Sequence, residues 1–334
     1  MSPLRVGLAG LNFGRKLAVS GTKVGSIKVT ACYSRTPSSR EKFAAEFGCA
    51  PCGSYREMVD REDVEAVILA TPNHNHLEQG YEAAVRGKHV FVDKPITNSI
   101  REAQALIKAC RDNGVKLCVG HNTRFFGSYA TIRELVHGGR IGQPLAVECH
   151  CGASNAFSMR PGDWRWSEGT CPGLSLIQMG IHPLDAMRTV LGDVVSVSAH
   201  FENAMVEMDN PDLTSMIMEF ESGATGVLIT SYIHNDYYSI WHGSEGVLRY
   251  MNWPDEGRIE RLDRDGHVQE NDHWIEFDKV DSLSYELRDF QQAVREDREP
   301  LVNGEEGLKS LAPVLAAVVS AREGRRVWVD EVTR

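Results

Sequence analysis

The sequence predicts an α/β protein in two parts: an N-terminal doubly wound parallel sheet over residues 1–121, and a C-terminal α+β domain with a large, mostly antiparallel open sheet over residues 122–334. Two observations carry this. Up to Gly120, short apolar runs alternate with helical patterns, the beat of parallel strands joined by helices. After His121-Asn122-Thr123-Arg124 longer strands follow one another with polar turns between them, which favours antiparallel pairing. A chain of 334 residues is long enough for two such cores.

The first strand, residues 5–9, runs into Gly10-Leu11-Asn12-Phe13-Gly14-Arg15, where a helical pattern begins. A glycine turn there offers backbone N–H groups and a helix amino end to a pyrophosphate. The spacing departs from the usual dinucleotide fingerprint: Asn12 replaces its second glycine, and the last glycine comes one place early at Gly14. The second strand, residues 29–33, ends at Ser34-Arg35-Thr36, where an NAD-selective site would carry an acid. A hydroxyl and a guanidinium suit a 2′-phosphate instead, so NADP is expected ahead of NAD, the alternative being that Arg35 stacks on adenine.

Residues 64–70 form a strand leading to Thr71-Pro72-Asn73-His74-Asn75-His76, and a helix rich in alanine and glutamate follows. His74 and His76 have no local acid or cysteine cluster, so they are expected to line a cofactor cleft rather than to hold a metal. Within Gly87-Lys88-His89-Val90-Phe91-Val92-Asp93-Lys94-Pro95, residues 89–92 read as a buried parallel strand, ended by Pro95. It delivers Lys94 to the carboxyl edge, where open α/β sheets bind ligands. A helix over residues 99–113, with Ala103, Ala105, Leu106, Ile107 and Ala109 inward, and a strand over residues 116–120 complete this part.

The second part begins with a helix over residues 129–137. Strands are expected at residues 143–151, 194–202, 214–221 and 223–233, with shorter ones up to Phe277. Glu221-Ser222-Gly223 marks a hairpin. Leu174, Ile177, Ile181, Leu184, Met187, Val190 and Leu191 keep helical spacing, and Gln178, His182 and Asp185 stack on another face of that helix. Gly180 and Pro183 interrupt it, although a proline in a first turn is tolerated. In Arg160-Pro161-Gly162-Asp163-Trp164-Arg165-Trp166, flat apolar faces stand beside fixed donors, which suits either sugar contact or packing. Helices over residues 284–296 and 305–322 and a strand over residues 326–329 close the chain.

Hydrophobic residues at 42% and charged residues at 25% fit a water-soluble globular chain. With 36 Lys and Arg against 46 Asp and Glu, the net charge of −10 argues against nucleic acid or an anionic membrane as the main partner. No apolar run reaches membrane-spanning length and no signal-peptide core precedes the first strand, so a cytoplasmic location is expected. The 8 cysteines are scattered, which predicts reduced thiols. Cys49/Cys52 and Cys149/Cys151 each lack a second pair at zinc-site spacing, so no metal is expected.

Taken together, the Gly10 to Gly14 turn, Ala70-Thr71-Pro72-Asn73-His74-Asn75-His76, the stretch ending Asp93-Lys94-Pro95, and Gly180-Ile181-His182-Pro183-Leu184-Asp185 resemble the glucose-fructose oxidoreductase/inositol dehydrogenase/MocA family over essentially the whole chain. The resemblance implies hydride transfer between a nicotinamide cofactor and a secondary alcohol of a sugar, cyclitol or similar polyol. It maps the family's catalytic lysine onto Lys94, with Asp93 in place of the usual glutamate, and its histidine base onto His182. Many members carry an aspartate four residues before that histidine, where this chain has Gln178; Asp185 is a possible substitute orienting group.

By the same reading Gly10, Asn12, Phe13 and Gly14 meet the pyrophosphate and Ser34 and Arg35 the ribose. Thr71, Pro72, Asn73, His76, Asp93, Lys94, Pro95 and Asn122 lie toward the nicotinamide half. Asn122, Arg124, Trp164 and Arg165 join Lys94 and His182 as substrate contacts. A homodimer or homotetramer through the open sheet face is implied. Two alternatives remain: a lyase or glycosidase that oxidises its substrate transiently on a tightly bound cofactor, and a non-catalytic cofactor-binding regulator.

Overall fold

The computed structural model describes residues 1–251, 258–268 and 273–334, which form two compact units: residues 1–122 with 281–308, and residues 123–280 with 309–334. In the first unit β1 (Leu4–Ala9), α1 (Leu11–Lys23), β2 (Ile27–Tyr33), α2 (Pro37–Phe47), β3 (Ala50–Cys52), α3 (Tyr55–Val59), β4 (Ala66–Leu69), α4 (His76–Ala84), β5 (His89–Asp93), α5 (Ile100–Asp112) and β6 (Leu117–Gly120) alternate, with α2, β3 and α3 added to the elements read from the sequence. The strands make one parallel sheet of order β3-β2-β1-β4-β5-β6. Helices pack on both faces of such a sheet, so β4 (AVIL) and β6 (LCVG) are apolar throughout and buried throughout. The strand order reverses between β1 and β4, and an open sheet of this kind has its ligand crevice outside the carboxyl ends at that point.

Two expectations fail here. Residues 281–308 belong with the first unit, not the second. The cause is the apolar stripe of the helix Ser282–Arg295: Leu287 and Phe290 are fully buried in the cluster of Leu4, Leu17, Ile27 and Phe91, with the Phe290 ring 5.8 Å from that of Phe91. Arg295 then ties the helix to Glu65 at 2.9 and 3.1 Å. In α5, Ala105 faces solvent and Ile107 is half-buried, while Ile100 and Cys110 are buried with Ala103, Leu106 and Ala109. The inward stripe follows the three-to-four spacing one notch away from the expected one.

The second unit holds α6 (Gly127–His137), β7 (Pro144–Gly152), α7 (Ile181–Leu191), β8 (Val194–Glu202), β9 (Leu213–Phe220), β10 (Thr225–Ser231), β11 (Tyr237–Gly243), β12 (Gly246–Met251), β13 (Ile259–Asp263) and β14 (Trp274–Ile275). After α8 (Ser282–Arg295), α9 (Gly304–Glu323) begins in the first unit and ends in the second, and β15 (Val327–Trp328) and a short helix α10 (Val329–Thr333) finish the chain. The nine-stranded sheet runs β14-β13-β12-β11-β7-β10-β9-β8-β15 and is antiparallel except between β7 and β10. The β9–β10 hairpin turns at Gly223, whose φ of 83° a residue with a Cβ rarely adopts. Val147, Cys149, Cys151, Met216, Met218 and Leu228 are buried on the covered side, and Ile217, 54% exposed, lies on the open side.

Candidate functional site

The local design of the first unit begins at Gly10. It leaves β1 with φ 88°, and a Cβ there would stand 2.2 Å from the Ala70 carbonyl oxygen, so only glycine allows β1 and β4 to approach this closely at their carboxyl ends. Helix α1 starts at the next residue with no acid in its first turn, which leaves its N–H groups and the positive end of its dipole for an anion. Gly14 is buried against Leu8, whose Cδ2 a Cβ would meet at 2.4 Å. Asn12 is exposed and Phe13 half-buried beside it. At the end of β2, Ser34 is half-buried and its carbonyl accepts from Arg40 at 3.2 Å, while Arg35 is exposed.

Beyond β4, Thr71 donates its hydroxyl to Gln79 Oε1 at 2.7 Å, and Asn73 is 4% exposed with an Nδ2 that meets no acceptor of the protein. A buried amide donor without a partner, next to a glycine cradle and a free helix amino end, fits a bound polar cofactor. Lys94 and Asp93 are half-buried at the end of β5, and the Lys94–Pro95 peptide is cis. The carboxyl ends of β1, β4 and β5 thus present Gly10, Thr71 and Lys94 along one edge of one sheet. Asn122 donates to Ser282 Oγ at 2.9 Å.

His76 does not line a cleft as expected. It is 1% exposed, with Nδ1 3.0 Å from the Pro95 carbonyl and Nε2 2.9 Å from the Thr71 carbonyl. Both partners are acceptors, which favours the charged ring, but burial outweighs them and pulls the pKa down to about 4. His76 therefore fastens the loop after β4 to the loop after β5. His74, by contrast, is exposed.

In the second unit the chain passes through a π-helical turn, Leu176–Gly180, before α7 starts at Ile181. This accounts for both interrupting residues. A Cβ on Gly180 would press on Thr230 Cγ2 at 2.5 Å, and Pro183 falls in the first turn of the new helix, where no N–H is needed. Gln178 thus lies in the π turn and is buried, and His182 is half-buried at the start of α7. Arg165 donates Nε to Gln178 Oε1 at 3.3 Å and lies 4.2 Å over the Trp164 ring, and Asn210 Nδ2 holds the Arg165 carbonyl at 2.8 Å. Trp164, Arg165 and Gln178 are therefore one connected group.

Arg124 and Asp185 are joined, a pairing that the sequence reading did not foresee. Their side chains meet each other, Nε to Oδ2 at 2.8 Å and Nη2 to Oδ1 at 2.7 Å. Arg188 adds a third guanidinium contact to Asp185 at 3.4 Å, and Ser310 donates to it as well. Asp185 is fully buried in this set. Arg188 and Ser310 escaped the sequence reading. The i, i+3 spacing of Asp185 and Arg188 was the one available signal.

Comparison with known proteins places this geometry. Residues 4–121 match the model of an oxidoreductase family with an NAD-binding Rossmann fold, and residues 129–249 match the GFO/IDH/MocA C-terminal domain. A crystal structure from Desulfitobacterium hafniense, provisionally described as an NADPH-dependent oxidoreductase, is 29% identical with a TM-score of 0.94, covering 100% of both chains. The inositol 2-dehydrogenase of Rhizobium meliloti is 28% identical over 93% of this chain and 94% of its own. The 2,7-anhydro-N-acetylneuraminate hydratase of Escherichia coli is 29% identical over 74% of this chain and 67% of its own. The chain belongs to the GFO/IDH/MocA family of oxidoreductases, with an NAD-binding Rossmann domain followed by that family's C-terminal domain.

Proposed function

We propose that the protein is an NAD(P)-dependent dehydrogenase or reductase acting on a secondary alcohol or ketone of a sugar, cyclitol or related polyol, with NADP preferred. The observation that carries this reading is the carboxyl edge of the parallel sheet, where β5 delivers Lys94 beside the Gly10 turn and the loop of Thr71 and Asn73. A nicotinamide, when bound, supplies the hydride chemistry. Gly10, Asn12, Phe13 and Gly14 would hold its pyrophosphate and Ser34 and Arg35 its adenosine ribose, with Asn73 toward the nicotinamide. The Lys94 ammonium stabilises negative charge growing on the substrate oxygen. His182 takes the hydroxyl proton on its imidazole nitrogen. Trp164, Arg165 and Gln178 provide a flat apolar face and fixed polar groups for the substrate.

The R. meliloti dehydrogenase relative supports the redox reading, and the E. coli relative, named a hydratase, supports keeping the lyase alternative. Apolar residues on the open sheet face, such as Ile217, support a homodimer or homotetramer. Among the described residues no helix is long and apolar enough to cross a membrane. The test offers purified protein NADP or NAD with sugars, cyclitols and sugar acids, and follows reduced-nicotinamide absorbance. Turnover by wild type, and its loss in a Lys94→Ala protein that still binds cofactor, supports the dehydrogenase. Substrate conversion without net absorbance change would replace it with the lyase, and undiminished turnover by Lys94→Ala would remove Lys94 from the chemistry.

A further inference from the structure

In the second unit β7 carries His150 between Ile229 of β10 and Tyr238 of β11. Its neighbours Cys149 and Cys151 alternate to the other side of the strand, where both are buried, so the thiols point away from the histidine. The β10–β11 connection supplies His234 and Asp236, both exposed. One ring nitrogen of each histidine and one carboxylate oxygen of Asp236 lie within 4.8 Å of one another, the one such group of three among the described residues. Backbone bonds fix the connection: Gly152 donates to the Asp236 carbonyl at 2.9 Å, and Ser154 N–H donates to Asn235 Oδ1 at 3.1 Å.

Two details point to a ligand. His150 is only 9% exposed and its Nε2 has no hydrogen-bond partner; Ser231, fully buried, likewise leaves its Oγ without one. Both atoms border the space over Gly152, where a Cβ would stand 3.2 Å from His150 Nε2, 3.0 Å from Ser231 Oγ and 2.4 Å from the His234 carbonyl. Glycine is thus what brings the loop histidine down onto β7. An unpartnered buried imidazole nitrogen is costly unless something accepts its lone pair or its proton.

We propose that His150, His234 and Asp236 bind one divalent first-row transition-metal ion, zinc being the chemistry that two imidazoles and a carboxylate serve best. None of the three has a role in the reading above, and the sequence reading expected no metal because the ligands are far apart along the chain. Bonds of about 2 Å need ligand atoms closer than they stand, and rotation of the exposed His234 and Asp236 side chains about a fixed His150 closes the set. The ion would fasten the β10–β11 connection to β7 and keep an open position toward solvent.

The test uses untagged full-length protein stripped with a chelator. Titration with cobalt(II) followed by visible absorption, and with zinc(II) by calorimetry, should give one ion per chain, with cobalt bands typical of nitrogen and oxygen ligands and no sulfur-to-cobalt charge-transfer band. His150→Ala and the surface change Asp236→Asn should each weaken binding at least tenfold, while His200→Ala, an exposed histidine outside the group, should leave it unchanged. Absence of binding, a thiolate band, or equal affinity in Asp236→Asn protein that keeps the wild-type circular dichroism would overturn the proposal.

Discussion

Arg124 and Asp185 close a two-point ion pair inside the second unit, with the guanidinium nitrogens 2.8 and 2.7 Å from the two carboxylate oxygens and the carboxylate fully buried. Planar guanidinium and carboxylate match at two points, so the pair fixes orientation as well as distance. Arg188, itself tied to Asp193 at 2.6 Å and to Ser310 at 2.9 Å, closes the set from the far side. The turn that precedes α6 and the first turns of α7 are thereby held together.

Removing one member leaves buried charge without its counterion, which costs about 3–5 kcal/mol. Asp185→Ala should therefore lower stability by roughly that amount, strongly enough to reduce soluble yield. Arg124→Met together with Asp185→Leu should recover much of it, because paired apolar groups of similar volume are tolerated in place of a buried pair. Denaturant unfolding of the single and double variants checks this. Equal stability of Asp185→Ala and wild type would show that the pair contributes nothing net.

His76 predicts a pH dependence of stability. Its pKa falls, chiefly through burial, from 6.5 to about 4 in the folded chain. Between those values the unfolded chain binds the proton and the folded chain does not, so stability is complete above pH 6.5 and declines as pH drops to 4, by on the order of 3 kcal/mol. Glu65 acts in a lower window. Its pKa is lowered, first through its hydrogen bonds to Arg295, from 4.5 to about 2, so its contribution is complete above pH 4.5 and lost below. In His76→Gln the decline between pH 6.5 and 4.5 should flatten while the acid limb persists. A decline unaltered by the substitution assigns it to another group.

How much of this was legible in the chain depends on the range of the interaction. The parallel sheet could be read because strands such as β4 and β5 announce themselves in three or four consecutive apolar residues, and Gly10 because a turn of that shape needs glycine. The return of α8 could not. Leu287 and Phe290 declare a buried stripe but not which core covers it. Asp185 likewise looked available beside His182 because helical spacing says which residues share a face, not that Arg124 and Ser310, distant along the chain, take up the carboxylate. The π turn at Leu176–Gly180 left only Gly180 as its trace.

Gln178 offers a test of the second unit's chemistry. Its amide oxygen accepts from Arg165 at 3.3 Å, so this position is polar and bonded but carries no charge. Gln178→Asp would place a carboxylate between Arg165 and the start of α7. A nearby negative charge favours the imidazolium form, and the ion pair with Arg165 absorbs part of that effect. If His182 is the general base, the acid limb of kcat/KM should move to higher pH by up to about one unit. A pH profile unchanged in a folded Gln178→Asp enzyme would count against His182 as the titrating base.

The adenosine end is tested at Arg35. This side chain is exposed at the end of β2, and no acid follows the strand in the segment Ser34-Arg35-Thr36. A permanent cation with paired donors favours a 2′-phosphate, whereas a carboxylate at this place binds the two ribose hydroxyls and repels the phosphate. Arg35→Asp should therefore reverse the preference, lowering kcat/KM for NADP by ten- to a hundredfold, or about 1.4–2.8 kcal/mol, while NAD is held or improved. Arg35→Ala separates the phosphate role from adenine stacking, since loss of stacking weakens both cofactors alike and loss of the phosphate contact weakens NADP alone. Equal losses for NAD and NADP in Arg35→Ala would reduce Arg35 to a platform for adenine and leave NADP without a charged partner at the end of β2.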